Sequence, residues 1–440
     1  MKKKSVFRFF TPLLFCIVFL CLLPHIAVFA QSGNSNSAGS RHGENITLKL
    51  AVMGSGDELY FWFGHIGLIV ENSRTGLARF YDWGVFSFEN TNFFYNFAFG
   101  RLYYSCMVSD AELNLRSYLS NNRNITLYTL DLPAEKKAQV LMFAENNVRP
   151  ENRDYAYHHF RDNCATRIRD ILDMALDGQF SAKFADTPGR FTLRQHVRRH
   201  TWFNPFFDWI LNFWMGQGID KPITVWDEMF LPSEIALRIK DFIYTDSDGI
   251  ERNLVTSVEY VNTLSPRPIV LDVPRLQWPR ELVASLIVSI LPLILFLLRE
   301  KIKRFRVYLG LFQGLLGLFF GIAGSLLFFM MFFTNHDYTY NNSNIIFVNP
   351  LFFTAIPLGL IFAFTRNDKK RFITARLLRI FWTYILLGGL LTMLIKLSPD
   401  FYQQNQVDQA LILPIALVMV LVMAGLGKLS VKGAKPRSGK

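Results

Sequence analysis

Five apolar segments in the C-terminal part of the chain, about 281–298, 307–333, 345–365, 377–397 and 410–427, constrain the fold more than any other feature. Each is near the roughly 20 residues that carry an α-helix across a bilayer, and backbone in lipid must satisfy its hydrogen bonds internally. All five therefore read as transmembrane helices. Their connections give the orientation. The first holds Arg299, Lys301, Lys303, Arg304 and Arg306, the third holds Arg366, Lys369, Lys370, Arg371, Arg376 and Arg379, and the tail holds Lys428, Lys432, Lys435, Arg437 and Lys440. The second and fourth, 334–344 and 398–409, contain neither Lys nor Arg. Basic loops stay in the cytoplasm, so the domain that carries Cys164, before the first span, is extracytoplasmic. Membrane-embedded acids, paired charges and transporter-like repeats are absent from the five segments, which argues against a pump or channel.

The net charge of +12 looks at first like a nucleic-acid footprint. Residues 281–440, however, hold 17 Lys/Arg against 6 Asp/Glu, and Lys2, Lys3, Lys4 and Arg8 open the chain without acids, leaving residues 31–280 at −3. The basic charge belongs to membrane flanks, and no nucleic-acid partner is expected. With 440 residues, 51% hydrophobic and 43 of them Phe, the chain is too apolar for one ordinary soluble domain.

Residues 1–30 have the layout of a secretory signal peptide: a basic start, an apolar run, and small Val28 and Ala30 before Gln31. An uncleaved anchor is the alternative, and both put the next domain outside. A Ser-, Asn- and Gly-rich flexible leader, 31–45, follows. Cleavage would leave Cys106 and Cys164, which an oxidising compartment would permit to form a disulfide. Neither lies in a zinc-ligand pattern, so no metal and no cofactor are expected.

From residue 46 to 265 strand-like and helix-like stretches alternate, as in one α+β domain. Residues 46–53 alternate apolar and polar as a strand does, 60–70 read as a buried strand containing His65, 71–76 as a turn and 77–83 as the returning strand. If Val70 faces Leu77, His65 faces Asp82, and directly opposed residues on one sheet face have Cβ atoms about 5 Å apart. A carboxylate beside an imidazole orients the ring and fixes its tautomer. A lone histidine is also a common core residue, and a one-residue slip would separate the pair. Further on, 124–132 reads as a strand, 134–147 as an amphipathic helix and 181–235 as mostly helical. The aromatic-rich stretch 85–104 suits a cover over the site or the core, and 202–214 suits either a core or, beside a bilayer, the headgroup region or an acyl-chain groove.

The stretch 157–172 places one thiol where a helix should begin. Apolar Ile168, Ile171, Leu172, Ala175 and Leu176 fall on one helical face, and Gly178 ends it. Asp162 or Asn163 can cap the free N–H groups, which puts Cys164 in the first turn, where the positive end of the helix dipole favours a nucleophilic thiolate. A buried structural cysteine fits the same stretch.

Taken together, FGHIGLIV (63–70), YDWGVFSF (81–88), FAFGRLYY (97–104), DNCATRIRDIL (162–172) and WDEMFLP (226–232) resemble the extracytoplasmic domain of the Lnb-type lipoprotein N-acyltransferases. The order of His before Cys is also similar to the circularly permuted papain-like superfamily that contains lecithin:retinol acyltransferase. The resemblance implies Cys164 as nucleophile, His65 as general base and Asp82 as the group that orients His65, where a second histidine is usual in lecithin:retinol acyltransferase. Asn163, Asp162, Tyr81 and Gly64 are candidate supporting residues.

The implied fold is a permuted papain-like catalytic domain (46–265), a proline-rich linker (266–280), an all-α membrane domain of about five helices (281–427) and a basic cytoplasmic tail (428–440). The implied protein is a multi-pass protein of the cytoplasmic (inner) membrane with its catalytic domain in the periplasm. It would transfer an acyl chain from a phospholipid donor, through a Cys164 thioester, to the α-amino group of a diacylated lipoprotein acceptor. Two other readings stand beside it: a thiol hydrolase (phospholipase or cell-wall amidase), and a non-catalytic membrane-anchored binding protein stapled by a Cys106–Cys164 disulfide.

Overall fold

A computed structural model describes residues 43–86 and 92–432, with side chains to residue 426. The signal segment 1–30, most of the leader 31–45 and most of the tail 428–440 lie outside the described residues. The chain divides into two compact units, one of residues 43–86, 103–187 and 224–268, the other of 92–102, 188–223 and 269–432. The stretch 46–265 thus contributes to both, since 92–102 and 188–223 group with the apolar C-terminal helices.

The first unit is built on strands β1 (Ile46–Met53), β2 (His65–Asn72), β3 (Leu77–Val85), β4 (Tyr103–Asp110), β5 (Ile125–Leu130), β6 (Asp154–Ala156), β7 (Ile243–Thr245), β8 (Glu251–Asn253) and β9 (Val255–Asn262). Seven of them form an antiparallel sheet in the order β6-β4-β3-β2-β1-β5-β9, while β7 and β8 make a hairpin around the turn at Asp246–Gly249. Strand alternation gives the sheet two apolar faces. Ile66, Leu68, Tyr81 and Trp83 pack with the helices Ala134–Asn147 and Cys164–Ala175, whereas Ile69 and Phe80 pack with the helix Ala111–Ser120.

Two expectations about the central hairpin are corrected. The strand expected from residue 60 begins at His65, because Leu59–Phe61 coil into a 3-10 turn and Gly64 then takes φ +78°. The register also differs: Val70 faces Arg79 rather than Leu77, and Asn72 faces Leu77. The reason is the turn. Asn72 Oδ1 accepts from the N–H groups of Arg74 (3.0 Å) and Thr75 (3.3 Å), and left-handed Gly76 (φ +71°) donates to the Asn72 carbonyl at 2.9 Å. This Asx-type turn starts two residues later than expected. A shift of two leaves every side chain on its face, where a shift of one would have inverted them all.

The second unit holds five helical segments long and apolar enough to cross a membrane: Trp278–Leu297, Phe305–Phe333, Ser343–Phe364, Asp368–Ile395 and Gln406–Leu426. The third is not one α-helix. It winds through two 3-10 turns, Ser343–Ile346 and Pro350–Thr354, before the helix Ala355–Phe364. Pro350 cannot donate, and Asn349 restores the interrupted hydrogen bonding by accepting from Leu351 N–H at 3.0 Å and donating to the Ile345 carbonyl at 3.0 Å. Close helix approach comes from glycine: a Cβ on Gly310 would sit 2.3 Å from the Gly359 carbonyl oxygen. The spans that start at Trp278, Asp368 and Gln406 carry Glu281, Asp368 and Asp408 in their first turns, and the buried Glu281 and Asp408 correct the expectation of no membrane-embedded acids; Asp408 is the most enclosed. This acid occupies the helix's first turn, where a negative group complements the dipole, and accepts from Asn344 Nδ2 at 2.9 Å.

Among the described aromatic residues of 85–104 none is buried, and Phe94, Tyr95, Phe97 and Tyr103 are exposed, whereas 202–214 supplies buried rings. Trp209 and Phe213, on the helix Pro205–Trp214, are buried with the apolar helices, Trp209 stacking on Phe319 at 5.6 Å, and Phe99 meets Phe329 edge-on at 5.4 Å. Phe206 stays exposed.

Candidate active site

The start of the Cys164–Ala175 helix is fixed by Asn163. Its Oδ1 accepts from the N–H groups of Ala165 (2.8 Å) and Thr166 (2.9 Å), while Thr166 Oγ1 accepts from Asn163 N–H (2.8 Å), completing a capping box. Asn163 Nδ2 donates to the carbonyls of His159 (2.7 Å) and Phe230 (3.0 Å). This one side chain ties the helix to two loops. Asp162, the other candidate cap, instead grips Arg167 through both oxygens at 2.5 and 2.8 Å. The expected helical face is buried, with Ala165, Ile168, Ile171, Leu172, Ala175 and Leu176 all in the core. Each large member contributes about 1.5–3 kcal/mol, which anchors the thiol's backbone.

Across the hairpin, His65 Nε2 lies 2.6 Å from Asp82 Oδ1, both side chains 15% exposed. The ring of Tyr118 stacks on His65 at 6.2 Å. Burial disfavours the imidazolium, yet the charges of Asp82, Tyr118 and Cys164 outweigh it and hold the His65 pKa well above the ordinary 6.5. Continuing the observed register, Asp82 sits diagonal to His65 rather than opposite it, a separation that these side chains bridge.

His65 and Asp82 share the sheet face of Ile69 and Phe80, whereas the Cys164 helix packs on the other face. Just after Asp82 a bulge between Trp83 and Val85 breaks the alternation, and the Cys164 charge contributes to the raised His65 pKa. The residue in the bulge is Gly84, with φ +97°. A Cβ there would lie 3.8 Å from Cys164 Cβ, 3.9 Å from Tyr155 Oη and 4.0 Å from Tyr157 Cε2. The missing side chain leaves a space about one methyl group wide beside the cysteine. Aromatic rings flank it, Tyr104 stacking on Tyr157 at 4.2 Å and Phe86 against Tyr104 at 4.9 Å.

Not all the candidates gather here. Tyr81 points to the opposite face from Asp82, is fully buried, and donates a short hydrogen bond to Glu145. Gly64 serves the backbone: at its φ of +78° an added Cβ would press within 2.9 Å of the Met53 carbonyl oxygen. His158 Nδ1 accepts from the N–H groups of Phe160 and Arg161, forming the turn before the helix. His159 is enclosed by Phe63, Phe160 and Phe230, and burial, with the nearby His158, pushes its pKa down to about 4. Cys106 and Cys164 are both free, Cys106 being 1% exposed in the core. Gly84, Tyr118 and Tyr155 were not singled out from the sequence; only Gly84, a glycine inside a strand, carried a signal there.

Among the described residues no group of three or more His, Cys, Asp or Glu could hold a metal ion. The set instead offers a thiol at a helix start, an imidazole and a carboxylate, the elements of nucleophilic catalysis.

A family model described as the Lnb N-terminal periplasmic domain matches residues 38–199, and one described as the Lnb transmembrane domain matches residues 278–429. No curated protein and no solved structure matches the chain. The first match covers β1–β6 and the Cys164 helix, the second covers the five apolar helices, and together they span well over half of the chain. The chain therefore belongs to the Lnb family, as a multi-pass membrane protein with a periplasmic N-terminal α+β domain followed by a five-helix transmembrane domain.

Proposed function

We propose that the chain is a cysteine-dependent lipoprotein N-acyltransferase of the cytoplasmic (inner) membrane, with residues 1–30 as its signal peptide and 46–265 as a permuted papain-like catalytic region. The observation that supports the reading is the hydrogen-bonded His65–Asp82 pair, its imidazole raised in pKa partly by the charge of a helix-start Cys164 that borders the Gly84 bulge. In this mechanism His65 takes the Cys164 proton and the sulfur attacks a phospholipid ester. The tetrahedral intermediate collapses to an acyl thioester, and the lysophospholipid leaves with the proton from His65. The α-amino group of a diacylated lipoprotein then attacks the thioester and releases Cys164, its proton passing to His65. Asp82 keeps the imidazole oriented through both halves. Attachment to a membrane suits two lipid substrates, and family membership supports a place in lipoprotein maturation.

The test is mass spectrometry of a lipoprotein N-terminus from cells that have this chain as their sole N-acylating enzyme. With the wild type the third acyl chain is present, and with Cys164→Ala it is absent. Persistence of that chain in the alanine variant would overturn the reading. Release of free fatty acid without any N-acylated product would assign the site to a hydrolase.

A further inference from the structure

The hydroxyl of Tyr155 is buried and has no hydrogen-bond partner in the structure. Leaving a buried polar group unpaired costs about 1–3 kcal/mol, so such an atom in a well-packed site needs an explanation. The rest of the side chain is well fixed. Tyr155 lies on β6 opposite Tyr104, and the Arg167 guanidinium covers its ring at 4.4 Å, itself held by both oxygens of Asp162. The hydroxyl is thus aimed by a chain of contacts that begins two residues before the cysteine. It is aimed at the space above Gly84, on whose border Cys164 also stands.

We propose that Tyr155 is a catalytic residue that donates a hydrogen bond to the oxyanion formed when the Cys164 sulfur adds to an acyl carbonyl. This rests on the acyl-transfer reading given above. As the C–S bond forms, the carbonyl π pair moves onto oxygen. That oxygen occupies the small space beside Gly84, and the Tyr155 O–H points at it without giving up its proton. Collapse restores the C=O bond and expels the lysophospholipid alkoxide, which takes its proton from His65. The second half-reaction passes through an oxyanion at the same place when the amine adds to the thioester.

A second donor is available. The Asn163 cap uses the N–H groups of Ala165 and Thr166, leaving that of Cys164, at the first helical position, outside the cap. Two donors converging on one oxygen form an oxyanion hole. Burial, then the charges of Cys164 and Asp162, push the Tyr155 pKa far up, so the phenol stays a donor and does not act as an acid. An unpartnered hydroxyl makes sense where the partner is a charge that exists only during reaction.

The experiment follows thioester formation on the full-length, detergent-solubilised protein, using a phospholipid with alkyne-tagged acyl chains in mixed micelles and reading hydroxylamine-sensitive label on Cys164. Tyr155→Phe removes only the oxygen. It is expected to slow label incorporation about 100-fold or more, the usual effect of deleting one oxyanion donor. Its thermal unfolding midpoint and the rate of Cys164 alkylation by iodoacetamide are expected to stay at wild-type values. Thioester formation at the wild-type rate would overturn the inference and leave the acyl-transfer reading intact. Parallel loss of thioester formation and alkylation would make Tyr155 a structural residue, also overturning it. Equal labelling of wild type and Cys164→Ala would overturn the acyl-transfer reading itself and this inference with it.

Discussion

His65 and Asp82 stand diagonal across an antiparallel hairpin, their side chains joined at 2.6 Å, and this contact sets the charge state of the site. Burial alone would lower the His65 pKa, but Asp82 and then Tyr118 and Cys164 raise it well above 6.5. A group whose folded pKa is raised contributes stability that is complete below the unfolded value and lost as pH rises through the folded value. The same titration controls turnover, because the imidazolium must protonate the leaving lysophospholipid. The alkaline limb of the rate therefore lies above the ordinary histidine range. Asp82→Asn is expected to move that limb down toward 6.5 and to cut turnover by about 10²- to 10⁴-fold. A pH–rate profile measures both, and an unmoved alkaline limb would show that Asp82 does not set the His65 charge.

The two cysteines should differ sharply toward a small alkylating reagent. Cys106 is 1% exposed, and burial followed by the Asp82 charge pushes its thiol far up, so it is both hidden and protonated. Cys164, only partly buried at the start of its helix, borders the Gly84 space. Peptide mapping after limited iodoacetamide treatment is expected to find one fast site, Cys164, with Cys106 modified only on unfolding. Equal rates would contradict this placement of the two thiols.

Asn163→Ala tests how much the cap matters. The change removes two bonds to helix N–H groups and leaves the buried carbonyls of His159 and Phe230 without their donor. Loss of a cap costs about 1 kcal/mol, and each stranded carbonyl adds about 1–3 kcal/mol. The unfolding midpoint of the solubilised protein should fall by several degrees, and Cys164 alkylation should change with it. A midpoint equal to wild type would mean that the neighbouring loops satisfy those groups without Asn163.

What the sequence revealed of this site was what local patterning governs. Period-two alternation located β1 over residues 46–53 and helical spacing located the buried face of the Cys164 helix, since both depend on residues near one another in the chain. The pairing of His65 with Asp82 was legible for the same reason, although the Asx turn at Asn72 displaced the register by two. Tyr155 was not legible. Nothing in the residues around β6 indicates that its hydroxyl ends beside Gly84, some seventy positions earlier, because that juxtaposition comes from the order of strands in the sheet. Nor did spacing show that 188–223 would group with the apolar helices. Their aromatic residues fit a soluble core equally well, and only tertiary packing decides between the two.

Within the second unit Arg194, 1% exposed on the helix Leu193–Thr201, is a buried anchor. Its guanidinium grips Asp220 through two bonds at 2.7 and 2.9 Å and donates to the carbonyls of Asn212, Met215 and Gly216. Every bond joins Arg194 to the segment that follows it, so one side chain closes the 188–223 excursion on itself. Arg194→Met would strand the Asp220 carboxylate, 5% exposed, and three carbonyls. Breaking one side of a buried pair costs about 3–5 kcal/mol, much of it from the charge left behind. The double variant Arg194→Met, Asp220→Leu removes that charge and should recover part of the loss. Thermal unfolding of the purified protein in detergent, read for both variants, measures the difference. A double variant no more stable than Arg194→Met would place the cost in the carbonyls rather than in the unpaired acid.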